Sequence, residues 1–354
     1  MKFIRDFSTF HRNMLAGAAP PLVALVILCS FIFTLSACTT KPSAPHVRIL
    51  TYSSLGSKGG FLSSVQDEFK AKTGCEVSIE TTLGASQVLS YLEEPKARER
   101  IDVVMGIDEL LFERARSYLY LSSSPASYAY TALMQSRVQP GFYPVDYGAM
   151  SFIYRKADLA GVKIPTELTD FLKPEFKKKF ILQDPRASSP GLLFFIFSEG
   201  ILKISDLKKQ WLTLAPSWDS SYKMFLQKDA PMVWSYLSSL AYHATKNEGD
   251  QYGFIDFKEG LPLQVEGMAL VNQVGNPLTQ NACIQKWLDF VLSPQIQAVM
   301  VSKQWMMPAV KDVTLPTYFQ NVPLVKRVAS YHLSVPAVDS LIERFGKEVQ
   351  GAAW

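Results

Sequence analysis

The sequence predicts an α/β fold of two lobes joined by two crossovers. Strands and helices alternate between Val47 and Gly106, a stretch rich in glycine and aromatic residues from Gly141 to Gly148 interrupts them, and a second alternation runs from Phe180 to Leu270. Alternation of this kind builds sheets of parallel strands with helices packed on their faces. Two such units joined by two crossings form a body that closes about a hinge, with its cleft between the lobes.

The first element stands outside that body. Lys2, Arg5 and Arg12 precede an apolar run from Leu22 to Leu35, which ends in Leu35-Ser36-Ala37-Cys38. The run is short of the roughly 20 residues that a spanning helix needs. A cationic leader, a short apolar run and small residues before a cysteine read as a lipoprotein signal peptide over 1–37, with Cys38 acylated and 38–45 as its lipidated tether. The alternative is an uncleaved anchor helix with an incidental cysteine. Both readings export the remainder, so the expected location is the periplasm or cell surface, on a membrane.

Residues 46–145 read as the first part of lobe 1. Val47–Tyr52 is a strand, and Gly56 to Gly60 a loop. Phe61, Leu62, Val65 and Phe69 recur at helical spacing, and Gly74 is placed to end that helix. Glu76–Thr81 alternates as a strand, Ser86–Leu92 is helical and Ile101–Gly106 is an apolar strand, while Leu121 to Ser127 is a solvated serine-rich loop. Residues 146–261 read as lobe 2, with strands at Met150–Tyr154, Phe180–Leu182 and Met232–Tyr236 and helices starting near Pro190 and Leu240. Residues 262–354 return to lobe 1 through the strand Leu263–Leu270 and then form C-terminal helices, one from Asn281 and one over Val335–Val349.

Composition bounds the function. The chain is 48% hydrophobic and 19% charged, with a net charge of +4, of which the leader carries three basic residues against Asp6. The near-neutral remainder predicts no nucleic-acid partner. The four histidines, His11, His46, His243 and His332, lack ligand spacing, so no metal site is expected. Cys75 and Cys283 either pair in an oxidising compartment or stay as two separate buried thiols.

Ligands of open α/β sheets sit beyond the carboxyl ends of strands. Here those positions carry Tyr52, Asp108, Ser188 and Tyr236. Gln183-Asp184-Pro185-Arg186-Ala187-Ser188-Ser189-Pro190-Gly191 hands a strand to a helix whose first N–H groups suit a phosphate, or whose serine only caps it beside a local Asp184–Arg186 pair. Trp218, Tyr236, Tyr242 and Trp305 offer faces for a flat heterocycle or a cation, or else pack in the core. Asp108 either pairs with an amino group or caps a helix.

The order of blocks resembles the thiamine-binding substrate-binding proteins of bacterial ABC importers. It is carried by Leu50-Thr51-Tyr52, Asp102-Val103-Val104-Met105-Gly106-Ile107-Asp108, Pro144-Val145-Asp146-Tyr147-Gly148, Gln183-Asp184-Pro185-Arg186, Ser235-Tyr236 to Ala241-Tyr242-His243, Leu263-Gln264-Val265-Glu266 and Trp305-Met306. The resemblance implies a two-lobed periplasmic-binding-protein fold of type II character, holding thiamine or a thiamine phosphate in the interlobe cleft with no cofactor and no catalysis. It implies a ligand site of Tyr52, Asp108, Ser188, Trp218, Tyr236, Tyr242 and Trp305, with Asp146 at another acidic position of the pattern. A monomer delivering ligand to an ABC permease and its ATPase is implied as well; the chain itself lacks G-x-x-x-x-G-K-[ST]. Two departures bear on the ligand: Ser57-Lys58-Gly59-Gly60 stands where the family carries a tryptophan, and Leu83 where it carries an acid. The competing expectations are a ferric-ion or polyamine carrier of the same build, a thiamine-acting enzyme with a cysteine nucleophile, and a sensor lipoprotein.

Overall fold

The structure, a computed structural model, describes residues 44–124, 127–273, 277–331 and 334–349; the signal around Cys38 lies outside them. The described residues form one compact unit. Among the described residues no helix is long and apolar enough to cross a membrane.

In the first lobe, β1 (His46–Tyr52) pairs in parallel with β2 (Glu76–Thr82) and β3 (Val103–Asp108). Helices α1 (Phe61–Thr73) and α2 (Ser86–Glu93) make the connections, and α1 buries Phe61, Leu62, Val65 and Phe69 at the spacing of one helical face. A short helix α3 (Glu109–Ala115) follows β3.

The stretch from Gly141 to Gly148, expected as an interruption ahead of the strand Met150–Tyr154, is for the most part the beginning of that strand and does cross between the lobes. β4 (Tyr143–Arg155) runs unbroken for 13 residues, about 43 Å of extended chain, through both lobes. Gly141, Pro144 and Gly148 suggest an interruption, but Pro144 adjoins a register shift before Asp146, where the ladder tolerates a missing N–H.

The second lobe follows, with β5 (Phe180–Gln183), α4 (Ser189–Phe197), β6 (Thr213–Ala215), α5 (Trp218–Leu226), β7 (Met232–Tyr236), α6 (Ser239–Thr245) and β8 (Tyr252–Phe254). β9 (Leu263–Leu270) then returns, antiparallel to both β3 and β4. The strand order is β2-β1-β3-β9-β4-β7-β5-β6. Ala149 pairs with Leu263 of β9, whereas Met150 pairs with Tyr236 of β7, so β4 changes lobes at one peptide bond.

Back in the first lobe lie α7 (Ala282–Val291), α8 (Pro294–Gln304) and the short β10 (Met307–Pro308), which pairs with β4. The two cysteines are bonded: Cys75, just before β2, is joined to Cys283 in α7. This settles the open pairing and ties together two parts of lobe 1 that are 208 residues apart.

The final helix departs from the expected two crossings. α9 (Val335–Val349) buries Val338, Leu341, Phe345 and Val349 in the cluster that holds Phe152, Phe180, Phe194 and Trp234 of lobe 2. Phe345 packs edge-on to Phe195 at 4.8 Å, and Arg344 pairs with Glu199 at 2.7 Å. Asp339 on the same helix reaches back to Arg114 of lobe 1 at 3.0 Å. The chain therefore crosses a third time, and the apolar face of this helix is covered in the lobe 2 cluster.

Candidate functional site

A cavity of about 360 Å³ lies between the lobes at the carboxyl ends of β1 and β7. Lobe 1 contributes Tyr52, Ser54 and the segment Leu83–Ala85, lobe 2 contributes Ala187–Pro190 and Ser217–Asp219, and the end of α8 supplies Lys303 to Met306. Its volume is that of ordinary small-molecule pockets.

Aromatic rings form one wall. Trp218 opens α5, and its ring stacks on Tyr222 at 5.0 Å and 17° and leans on Tyr236 at 6.1 Å. Its indole N–H donates to Ser235 Oγ at 2.9 Å, which fixes the ring. Tyr242 of α6 meets Trp305 edge-on at 5.6 Å. Trp305 ends α8 with φ at 60°, a left-handed conformation that costs a bulky residue about 1 kcal/mol. Phe319, on the third crossing, stacks against Trp305 at 6.4 Å and 10° and so buttresses its ring.

Two cleft tyrosines rest on glycines. A Cβ at Gly106, whose φ is +80°, would lie 2.5 Å from the Tyr52 ring, and one at Gly148 would lie 2.6 Å from the Tyr236 ring. The glycines of the Val103–Asp108 and Pro144–Gly148 blocks thus hold the rings in place by leaving room for them.

Carboxyls lie beneath. Glu266 lines the cavity, and its Oε2 accepts the Tyr52 hydroxyl at 2.6 Å, while Gln304 Nε2 donates to that same hydroxyl at 2.7 Å. Burial pushes Glu266 up to about 8, and pushes Asp146 well above its ordinary range with the Glu266 charge adding to the effect. Tyr52 and Tyr236 are raised too, first by burial and next by the charge of Glu266. Gln264 Oε1 and Ser238 Oγ are buried in the cavity's lining without a hydrogen-bond partner. Orphaned acceptors of this kind point to a ligand donor or a water.

The structure brings six expected residues, Tyr52, Ser188, Trp218, Tyr236, Tyr242 and Trp305, to this one cavity. Ser188 also caps α4, accepting from Gly191 N at 3.4 Å, and Asp184 pairs with Arg186 at 2.5 Å, so the local capping interpretation holds alongside the lining role. Asp108 does not line it. Its carboxylate accepts Leu111 N at 2.7 Å as the cap of α3, and it borders a second cavity of about 260 Å³ that shares Ser189 and Gln264 with the first. Lys58 is likewise absent from the lining, and Leu83 stands 76% exposed at the rim. Sequence reasoning passed over Glu266, Gln264, Asp219 and Gln304 as contacts. The available signal was Gln264 and Glu266 in β9, two polar residues in a strand that is buried throughout.

Among the described residues, no group of three or more His, Cys, Asp or Glu could hold a metal ion. Both body cysteines are consumed in the disulfide, so neither is a free thiol for nucleophilic chemistry.

Comparison with known proteins adds a family. Residues 101–324 match the bacterial extracellular solute-binding proteins. The thiamine-binding periplasmic protein of Escherichia coli is 30% identical over 299 residues, covering 80% of this chain and 87% of that protein. That of Brucella abortus is 29% identical over 282 residues, with 78% and 83% covered. A solved periplasmic thiamin binding protein superimposes with a TM-score of 0.75 at 26% identity, covering 87% of this chain and 97% of the other.

Proposed function

The chain belongs to the bacterial extracellular solute-binding proteins, and from that premise we propose that it captures thiamine or a thiamine phosphate in the interlobe cavity and delivers it to an ABC permease. The observation that carries this reading is the convergence of Trp218, Tyr236, Tyr242 and Trp305 with Glu266 on one cavity. A thiazolium cation and an aminopyrimidine are flat, electron-poor rings that favour aromatic faces, each cation–π contact contributing roughly 0.5 to 2 kcal/mol. The hydroxyethyl or phosphate end suits the serines of the lining, Ser188, Ser189, Ser217, Ser238 and Ser239, at the starts of α4, α5 and α6. The names of the relatives support the same ligand class. Acylation of Cys38 would keep the carrier at a membrane, and the protein performs no catalysis in this reading.

The test is a titration of the chain from Thr39 onward with thiamine, its mono- and diphosphates, Fe(III) and spermidine, following tryptophan fluorescence. Trp218 and Trp305 line the cavity, so a thiamine compound should quench saturably. Silence toward every thiamine compound, or a response to Fe(III) or spermidine alone, overturns the reading.

One contact spans the cleft between the lobes. Ser86 Oγ of lobe 1 donates to the Ala187 carbonyl of lobe 2 at 2.6 Å, and a Cβ at Gly84 would lie 2.8 Å from that same oxygen. Gly84→Ala should hold the rims apart, and Ser86→Ala should remove a hydrogen bond worth about 1 kcal/mol, a factor of roughly five in affinity. Both losses should appear as faster ligand release in stopped-flow measurements. An unchanged release rate in both variants would mean that this contact does not latch the cleft.

A further inference from the structure

Three carboxyls lie in one row across the strands that join the lobes. In the ladders of β9, Glu266 is the direct partner of Asp108 on β3 and of Asp146 on β4. Direct partners stand side by side across a sheet. Asp146 is 2% exposed and Glu266 6% exposed, and Asp146 Oδ1 is buried with no hydrogen-bond partner. Among the described residues, none of the three forms an ion pair with a Lys, Arg or His. Buried acids without a countercharge are held neutral unless a cation arrives.

We propose that Glu266, backed by Asp146, is the specificity-determining countercharge for a cationic ligand ring, and that seating the cation drives a proton from this carboxyl pair into water. The proposal deepens the ligand assignment above and rests on it. Glu266 is the member of the row that reaches the cavity, where the orphaned Gln264 Oε1 also waits for a donor. The step balances: the neutral acid loses its proton to solvent, and the carboxylate left behind pairs with the ligand's fixed positive charge.

The other groups facing Glu266 do not provide that countercharge. Tyr52 from β1 and Tyr236 from β7 are neutral phenols whose ionisation burial opposes, Gln304 from α8 is uncharged, and Asp108 from β3 and Asp146 from β4 are acids. Lys303 lines the cavity but makes no ion pair with Glu266. Asp219 also lines it, in the first turn of α5, where burial raises its pKa, but it is not one of the direct ladder partners of Glu266. The pair titrates as a unit, so the proton belongs to the couple and not to one carboxyl.

The sign follows from linkage. The ligand favours the ionised form, so affinity falls as pH falls below the titration of Glu266, which burial pushes up to about 8. Calorimetric titration of the full chain in detergent with thiamine, at pH 7 in phosphate and in Tris, should give about one proton released per ligand bound. Affinity should rise about tenfold per unit between pH 6 and 8 and level off above. The neutral pyrimidine alcohol that forms half of thiamine should release none. Glu266→Gln keeps an acceptor for the Tyr52 hydroxyl, and should abolish the proton release and flatten the pH profile; Asp206→Asn, which removes a surface carboxylate paired with Lys209 away from the cavity, should preserve both.

Infrared difference spectra of the unsubstituted protein supply a second measurement that does not depend on any variant folding. A protonated-carboxyl band should be present without ligand and lost on adding thiamine. If thiamine binds with no proton release and no loss of that band, this inference falls and the ligand assignment stands. If thiamine does not bind at all, the ligand assignment falls and takes this inference with it.

Discussion

Reducing the Cys75–Cys283 bridge is expected to lower the unfolding free energy of the chain from Thr39 onward by about 4 kcal/mol. The bridge closes a loop with a sequence separation of 208, and chain-entropy arguments give such loops the largest effect on the unfolded state, though with slow growth in length. The position sharpens the expectation. Cys75 lies between α1 and β2, in the segment that starts lobe 1, and Cys283 lies in α7, which returns to lobe 1 after all of lobe 2 has been made. Phe69 and Trp287 pack edge-on at 5.0 Å beside it, so the covalent link and the apolar contact hold the same two segments together. For a body of this size the loss corresponds to a fall in Tm of about 5 °C. Thermal melts with and without reductant, and of the Cys75→Ser, Cys283→Ser double variant, check it. A Tm unchanged within a degree, or two free thiols in the unreduced unfolded protein, would overturn it.

What the sequence displayed and what it hid follow from the range of each interaction. Strands and helices that carry their own periodicity were legible: Met232–Tyr236, Leu263–Leu270 and Val335–Val349 occur as expected. Tyr52 and Tyr236 were legible as residues of the interlobe cavity because a rule about strand ends places them without knowledge of partners. Asp108 satisfied the same rule but serves as a helix cap beside the second cavity, since the rule does not say whether a strand-end side chain turns to the ligand or to the helix that follows. The first half of β4, Tyr143–Ala149, was hidden because its glycines and Pro144 weaken local strand signals, while its partners in β9 and β10 lie far away in sequence. The third crossing was hidden for a related reason: its Phe319 anchors against Ala241 and Val301 without any periodic pattern. The disulfide and the Asp108–Glu266–Asp146 row depend entirely on which distant segments meet.

Tyr236→Ala is expected to weaken thiamine binding by about 30- to 150-fold, the loss of an aromatic anchor worth roughly 2 to 3 kcal/mol. The ring does more than touch the cavity. It leans on Trp218 at 6.1 Å, and it overlies Gly148 at the point where β4 passes between lobes, so removing it opens the wall and the hinge surface together. The substitution also leaves a void in the lobe 2 core, with a stability cost of about 3 kcal/mol, and a fall in Tm alone would not identify a ligand contact. Two further variants separate the effects. Tyr236→Phe keeps the ring and should bind within about threefold of the unsubstituted protein, a change under about 1 kcal/mol. Gly148→Ala keeps the tyrosine but places a Cβ 2.6 Å from its ring and 3.2 Å from Met306, so the ring must move. If ring position is what the ligand reads, Gly148→Ala should lose about tenfold in affinity, roughly 1.4 kcal/mol, even where its Tm stays closer to normal than that of Tyr236→Ala. Equilibrium titrations paired with melts of all three variants decide the matter. Unsubstituted affinity in both Tyr236→Ala and Gly148→Ala would remove this ring from the site and leave Trp218, Tyr242 and Trp305 as the aromatic surface.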